Sequence, residues 1–321
     1  MSDPSRVVVI APQKSGTHLI QELFVELGYS SVGSIKQDER TIPRFDRVTR
    51  LSIARVVYDD AAFARCESAA EDEFERLTDR AWDGMLYGWY QRFGQPVLGR
   101  YGAGRHQDPA AIISAESFYS SPFAATPPRI AWYWHQLVPG EFDGQFTNEW
   151  YAGDGPPVLL NVRDPRDCLV SIINFMEGKT AHGFGNFSER QIFNRILSTC
   201  GTWDQKIETA LTDPHFPGAT EFEDIIWLWR HPDVLSVRYE DLVGPQGGGT
   251  AGAQLDAVKR ILEHAQSDAD PIRLARRIYS ENSWSFFSGK QGEWRAVFSA
   301  RMRAAFAERH GSILEILGYE P

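Results

Sequence analysis

The chain has 321 residues, of which 42% are hydrophobic and 24% are charged, enough to bury a substantial core. Its net charge of −10 disfavours nucleic acid or an anionic membrane as the main partner. The sequence contains no apolar run of about 18 residues, and residues 1–4 lead into a strand without a signal-peptide pattern. We therefore expect a cytoplasmic protein without a membrane span.

The first predicted elements are a strand over residues 6–11 and a helix over about 17–28. The loop between them contains Lys14, Ser15 and Gly16. Small residues let backbone N–H groups approach an anion, the helix start adds the positive end of its dipole, and the lysine adds a full charge. A Walker A loop has glycine directly before the lysine, whereas here the lysine comes first. The pattern predicts a phosphate-binding loop of another kind.

Further strands and helices alternate along the rest of the chain, which favours an α/β fold with a central, mainly parallel sheet flanked by helices. A flexible surface loop is predicted over Gly244–Thr250. The predicted strands lie near 96–101, 129–135, 157–162 and 234–239, and the helices near 166–176, 188–200, 253–265, 271–279 and 300–317.

A second candidate phosphate site follows the apolar residues 158–160. Arg163 and Ser171 lie eight residues apart, at the end of a predicted strand and in the next helix. Arginine offers a planar fork to phosphate oxygens, and a hydroxyl on the inner helix face can supply another donor. The alternative is that Arg163 only pairs with Asp164. If both sites hold one nucleotide, residues 1–321 form a single domain.

These two segments resemble the cytosolic-type sulfotransferases, which use 3′-phosphoadenosine 5′-phosphosulfate (PAPS) and usually carry P-K-S-G-T-T-W and R-D-P-R-D-x-x-x-S. The resemblance implies that family's P-loop-like fold, with PAPS as cofactor and 3′-phosphoadenosine 5′-phosphate (PAP) as product, and we expect a bacterial member. It also implies two groups of binding residues: Lys14, Ser15, Gly16 and Thr17 at the 5′-phosphosulfate, and Arg163 and Ser171 at the 3′-phosphate.

Two later segments follow the family's order along the chain. Tyr239 lies in a segment that looks like the family's Y-E-D-L, where the tyrosine is near the adenine; alternatively it is a core aromatic residue with its hydroxyl at the surface. Gly289 and Lys290 begin a segment similar to G-x-x-G-D-W, which implies cofactor binding. The family's Arg-Lys pair falls on Phe287 and Ser288, so either Lys290 or a nearby arginine replaces it or the 3′-phosphate is held more loosely.

His135 is the candidate general base. It lies 28 residues before Arg163, as the family's K-T-H-L-P histidine precedes the R-D-P site, although the usual lysine before it is missing. An imidazole suits the removal of a hydroxyl proton at neutral pH. His106 is the alternative base. His18 replaces the family's second threonine, and it either donates to the phosphosulfate or caps the first helical turn.

The predicted reaction is sulfuryl transfer from PAPS to a hydroxyl of a small organic acceptor, with Lys14 at the leaving oxygen and no metal. The local positive charge would come from Lys14, Arg163 and Arg166. Cysteine spacing offers neither a disulfide framework nor a zinc site, and we expect reduced thiols. Five aromatic side chains either line an apolar acceptor pocket or belong to the core: Phe118, Tyr119, Trp132, Tyr133 and Trp134.

Two other functions remain compatible with these residues. One is a P-loop kinase or nucleotide hydrolase of related fold, and the other is a relative that binds the nucleotide but has lost catalysis. The residues that select the acceptor lie in loops without motifs, so its identity stays open, as does the oligomeric state.

Overall fold

The computed structural model describes residues 6–95, 121–153, 155–180, 188–218, 221–281 and 286–320. The chain divides into two compact units. The first unit consists of residues 9–28 and the described residues from 158 onward, and the second of residues 6–8 and the described residues of 29–157. A single domain over 1–321 stays a prediction, and the strand predicted at 96–101 lies outside the described residues.

A five-stranded parallel sheet confirms the predicted α/β class. The two inner strands that matter most for the site, β1 and β4, are short apolar segments that are buried along nearly their whole length, as is usual for parallel strands covered on both faces. In the order β2-β3-β1-β4-β5, the strands are β1 (Arg6–Ile10), β2 (Ser30–Gly33), β3 (Ile130–Trp134), β4 (Val158–Val162) and β5 (Val234–Arg238).

Fourteen α-helices occur in the described part of the chain. Those predicted from residue 166 onward are all present, with ends shifted by one or two residues. They are α1 (Thr17–Glu26), α2 (Arg47–Val57), α3 (Asp60–Ser68), α4 (Glu71–Arg92), α5 (Gly144–Tyr151), α6 (Pro165–Met176), α7 (Ser188–Ser198), α8 (Trp203–Thr212), α9 (Glu221–Ile225), α10 (Tyr239–Leu242), α11 (Ala251–His264), α12 (Pro271–Arg277), α13 (Trp294–Val297) and α14 (Ala300–Leu317).

Helix α6 begins where the sequence indicates. The Asp164 carboxylate accepts a hydrogen bond from the Arg166 N–H at 2.9 Å, and Pro165 occupies the first helical turn, where its missing N–H costs nothing. The apolar face of α6 then packs into the core of the first unit with residues of α7, α8 and α14, among them Ile173, Leu197, Ile207 and Phe306. This packing fixes the helix that follows the second candidate phosphate site.

The core of the second unit is aromatic. The Trp132, Tyr133 and Trp134 side chains of β3 are all at most 1% exposed. Trp132 and Trp134 pack with Phe93, and the ring centroids lie 6.4 and 5.4 Å apart. Of the two alternatives for these three residues, the core is confirmed and the lining of an acceptor pocket is wrong, because all three side chains are buried within the unit. Phe118 and Tyr119, the other two candidates, lie outside the described residues.

Candidate functional site

The loop between β1 and α1 adopts the backbone of an anion-binding turn. Lys14 has a φ of 65° and Gly16 a φ of 102°, both in the left-handed region. Alternation of left- and right-handed residues forms the concave nests in which backbone N–H groups bind anions. Gly16 is also the N-cap of α1, and no side chain caps that helix. The loop thus combines a turn for anions with an uncapped helix start.

The Lys14 ammonium lies among other cations. Its Nζ is 4.7 Å from the centre of the Phe175 ring. Desolvation of the ammonium, together with the positive charges of Arg163 and Arg190, lowers the pKa of Lys14 from 10.5 to about 7. An anion bound here would relieve this repulsion.

Arg163 links the loop to the C-terminal part of the first unit. It is only 5% exposed. Its Nη1 donates to the Lys14 carbonyl at 3.2 Å and its Nη2 to the Lys290 carbonyl at 2.6 Å. The guanidinium carbon lies 4.5 Å from the centre of the Tyr239 ring. Its Nε–H is buried and has no acceptor among the described residues.

The alternative that Arg163 pairs with Asp164 is wrong, because Asp164 pairs with Arg166. Arg166 Nε and Nη2 donate to the two Asp164 oxygens at 3.0 and 2.9 Å, and its guanidinium carbon lies 3.7 Å from the centre of the Trp294 ring. This arginine is 2% exposed, and its charge is neutralised inside the protein. The expectation that Arg166 supplies positive charge to a nucleotide is corrected accordingly.

The segment from Gly289 to Trp294 is anchored by side chains of the motifs before it. The buried Asp167 carboxylate accepts from the Gly292 N–H at 2.6 Å and the Trp294 N–H at 2.9 Å. The Tyr239 hydroxyl donates to the Gly289 carbonyl at 2.7 Å. The hydroxyl of Tyr239 is therefore not at the surface, which corrects that alternative. Its place near an adenine stays a prediction.

The glycine-rich segment Gly244–Thr250 packs on the same C-terminal segment. Gly247 is buried, and its carbonyl accepts from the Gln291 N–H at 3.0 Å. A Cβ at Gly247 would lie 2.5 Å from the Gly289 carbonyl oxygen. Four of the seven residues of this segment are exposed, in agreement with the predicted surface loop, but Gly247 is buried, and glycine is required there for this close approach.

The remaining predicted nucleotide residues lie in the same unit. Ser171 is part-exposed on α6, and its hydroxyl makes no hydrogen bond within the described part of the chain. Ser15 and Thr17 are buried. The Lys290 side chain is exposed. His18 Nδ1 hydrogen-bonds the Gln21 Oε1 at 2.8 Å, and because Gly16 is the N-cap, the alternative that His18 caps α1 is wrong.

Sequence reasoning missed two side chains near the loop. Glu221 contacts the loop itself, and Arg190 contacts Phe175, the aromatic ring beside Lys14. The buried Glu221 carboxylate accepts from the Gln13 backbone N–H and from the Gln13 side-chain amide, both at 2.5 Å. The Arg190 guanidinium carbon lies 4.6 Å from the centre of the same Phe175 ring that Lys14 contacts. Neither residue belongs to a motif, and both are far from Lys14 along the chain.

The candidate base belongs to the second unit. His135 directly follows β3, and its side chain is part-exposed. The carboxyl ends of parallel strands are where open α/β sheets carry functional groups. His106, the alternative base, lies outside the described residues.

No group of three or more His, Cys, Asp or Glu side chains in the described ranges is arranged to hold a metal ion. Across the same residues, no helix combines the length and hydropathy needed to span a bilayer.

No family model and no curated protein matches this chain. Several solved structures are similar over 98% of it. Mouse sulfotransferase SULT7A1 complexed with PAP is 12% identical, with 84% of that chain covered and a TM-score of 0.48. Retinol dehydratase with retinol and PAP is 16% identical, with 82% covered and a TM-score of 0.46. The same enzyme with androsterone and inactive cofactor PAP is 17% identical, with 82% covered and a TM-score of 0.40.

Proposed function

We propose that this protein is a PAPS-dependent sulfotransferase that acts on a hydroxyl of a small organic acceptor. The observation that carries the proposal is the joining of both phosphate motifs in one unit, where Arg163 donates to the carbonyl of Lys14. A loop that carries a cation-crowded lysine and an uncapped helix start suits the 5′-phosphosulfate. Arg163 and Ser171 suit the 3′-phosphate.

In the proposed reaction, an acceptor oxygen attacks the sulfur in line with the bond to the 5′-phosphate oxygen. The new S–O bond forms as that bond breaks, and its electron pair stays on the 5′-phosphate of PAP. Lys14 stabilises the negative charge that develops on this leaving oxygen. His135 takes the acceptor's hydroxyl proton. Ser15, Gly16, Thr17 and His18 hold the 5′ end, and Tyr239, Gly289 and Lys290 hold the nucleoside end.

A thermal-shift experiment tests the ligand class. PAP is expected to raise the melting temperature in the absence of magnesium, since a ligand that binds only the folded state stabilises by about 2.7 kcal/mol at a concentration 100 times its Kd. ATP with magnesium is the comparison ligand, because a P-loop kinase or hydrolase would respond to it instead. A shift with ATP and magnesium alone would contradict the proposal. Turnover with any acceptor excludes an inactive relative.

The affinity for PAP should depend on pH through Lys14. The pKa of Lys14 is about 7 in the unliganded protein, and a bound phosphate raises it. Above pH 7 the free protein has lost the proton that the complex holds, so binding takes up a proton and the Kd rises about tenfold per pH unit. Phosphate itself, with a second pKa of about 6, no longer titrates there.

Calorimetric titrations between pH 7 and 9 measure the Kd for PAP directly. Repeating them in buffers of different ionisation enthalpy gives the number of protons taken up on binding. Lys14→Arg is the matched control. The arginine guanidinium stays charged over this range, so the Kd of this variant for PAP should not depend on pH through residue 14. If the wild-type Kd were constant over this range, the role of Lys14 at the phosphate would be contradicted.

A further inference from the structure

Two cations contact one aromatic ring in the first unit. Lys14 Nζ and the Arg190 guanidinium carbon lie 4.7 and 4.6 Å from the centre of the Phe175 ring. Arg190 comes from α7 and is only 5% exposed. Cation–π contact with Phe175 offsets part of the cost of burying each charge, but it does not remove their mutual repulsion. A site that gathers cations in this way is suited to a multiply charged anion.

The position of Phe175 indicates which part of the ligand this anion would be. Phe175 lies one helical turn after Ser171 on α6, about 6 Å along the axis. Ser171 is the residue proposed for the 3′-phosphate, whereas Lys14 is the one proposed for the leaving oxygen. The Phe175 ring therefore marks the 5′ end of the ligand. Past the leaving oxygen lies only the group to be transferred, whose charge is spread over three oxygens.

We infer that Arg190 is a further substrate-binding residue, which donates hydrogen bonds to the non-bridging oxygens of the sulfuryl group. This inference rests on the proposed function and adds a residue to it. A planar guanidinium can contact two of these oxygens at once, in the ligand and as the group passes to the acceptor.

The experiment compares the affinities for PAPS and PAP without acceptor. The two ligands differ only in the sulfuryl group, so Arg190→Met should raise the Kd for PAPS by about 10- to 100-fold, the value of a hydrogen bond to a charged group. The Kd for PAP should change by less than about threefold, because its contacts lie on the other side of the leaving oxygen. Arg195→Met is the matched control, since Arg195 is an exposed residue of the same helix; it should change neither value.

The outcomes separate the two proposals. If wild-type protein binds neither ligand, the proposed function fails and this inference with it. If both ligands bind and Arg190→Met leaves the ratio of the two Kd values unchanged, only the role of Arg190 is overturned. If Arg190→Met does not fold, Arg190→Gln takes its place, because it keeps two N–H donors but removes the charge. The ratio of the Kd values for PAPS and PAP is then compared with that of the wild type in the same way.

Discussion

Substitution of Lys14 by methionine is expected to lower kcat for sulfuryl transfer by about 10²- to 10³-fold, the usual loss when a group that stabilises developing charge is removed. The same substitution is expected to raise the melting temperature of the unliganded protein. The two effects have opposite signs because the charge that serves the transition state is unfavourable before the ligand binds. Methionine keeps most of the side-chain stem and its contact with Phe175.

The direction of the stability effect follows from the pKa of Lys14, which is lowered from 10.5 to about 7. Between these values the unfolded chain holds the proton and the folded chain does not, so wild-type stability rises with pH across this window. At and below pH 7 the folded protein bears the full free-energy cost of burying the charged Lys14 ammonium. The gain from Lys14→Met should therefore be largest there and should vanish as the pH approaches 10.5.

Both effects can be measured on one preparation, by initial rates with saturating PAPS and by thermal unfolding at several pH values. Lys14→Arg keeps the charge and should not raise the melting temperature at pH 7. Full retained activity in Lys14→Met would remove the loop from the proposed mechanism. A lowered melting temperature would mean that the charge of Lys14 stabilises the unliganded fold.

The elements that position the candidate nucleotide site could be predicted because their signals are local. A short apolar run that ends in a small-residue loop marks β1 and α1, and the Asp164-Pro165 pair marks the start of α6. Such signals depend on backbone conformation and capping within a few residues of sequence. The spacing of Arg163 and Ser171 is a local signal as well, because only the end of β4 and two turns of α6 separate the two residues.

Other elements carry no such signal. β2 has the sequence Ser-Ser-Val-Gly, which has neither an apolar run nor clear alternation, and it pairs with β3 about 100 residues later. α4 is a 22-residue helix whose first turn contains three acidic residues, and the sequence analysis predicts no helix there. In both cases, partners distant in sequence stabilise the element.

The contact of Glu221 with Gln13 shows why the site could not be completed from motifs. The usual segment of the resembling family has proline directly before the lysine, and proline fixes its own φ and has no N–H. Gln13 stands there in this chain, and its N–H and side-chain amide both donate to Glu221. A hydrogen-bonded carboxylate thus restrains a position that proline restrains covalently. Residues 208 positions apart in sequence supply this restraint.

Gly16→Ala is expected to destabilise the protein and to abolish PAP binding. At a φ of 102°, a Cβ costs about 1–2 kcal/mol in backbone strain. The added Cβ would also lie 2.4 Å from the Cδ2 atom of Tyr239. That ring cannot easily move away, since its hydroxyl donates to Gly289 and Arg163 lies over its face. Overpacking of this kind costs about 1–3 kcal/mol more.

Gly28→Ala separates strain from collision, because Gly28 follows the same helix with a φ of 81° but a Cβ there would meet nothing within 4 Å. Urea unfolding should show a loss of about 1–2 kcal/mol for Gly28→Ala and about 2–5 kcal/mol for Gly16→Ala. PAP titration should show wild-type affinity only in Gly28→Ala. Equal losses of stability in the two variants, or PAP binding by Gly16→Ala, would mean that the close contact of Gly16 with Tyr239 does not shape the loop. The difference in unfolding free energy between the two variants therefore measures the contribution of the contact between Gly16 and Tyr239. The loop that this contact shapes holds Lys14 close to the positive charges of Arg163 and Arg190.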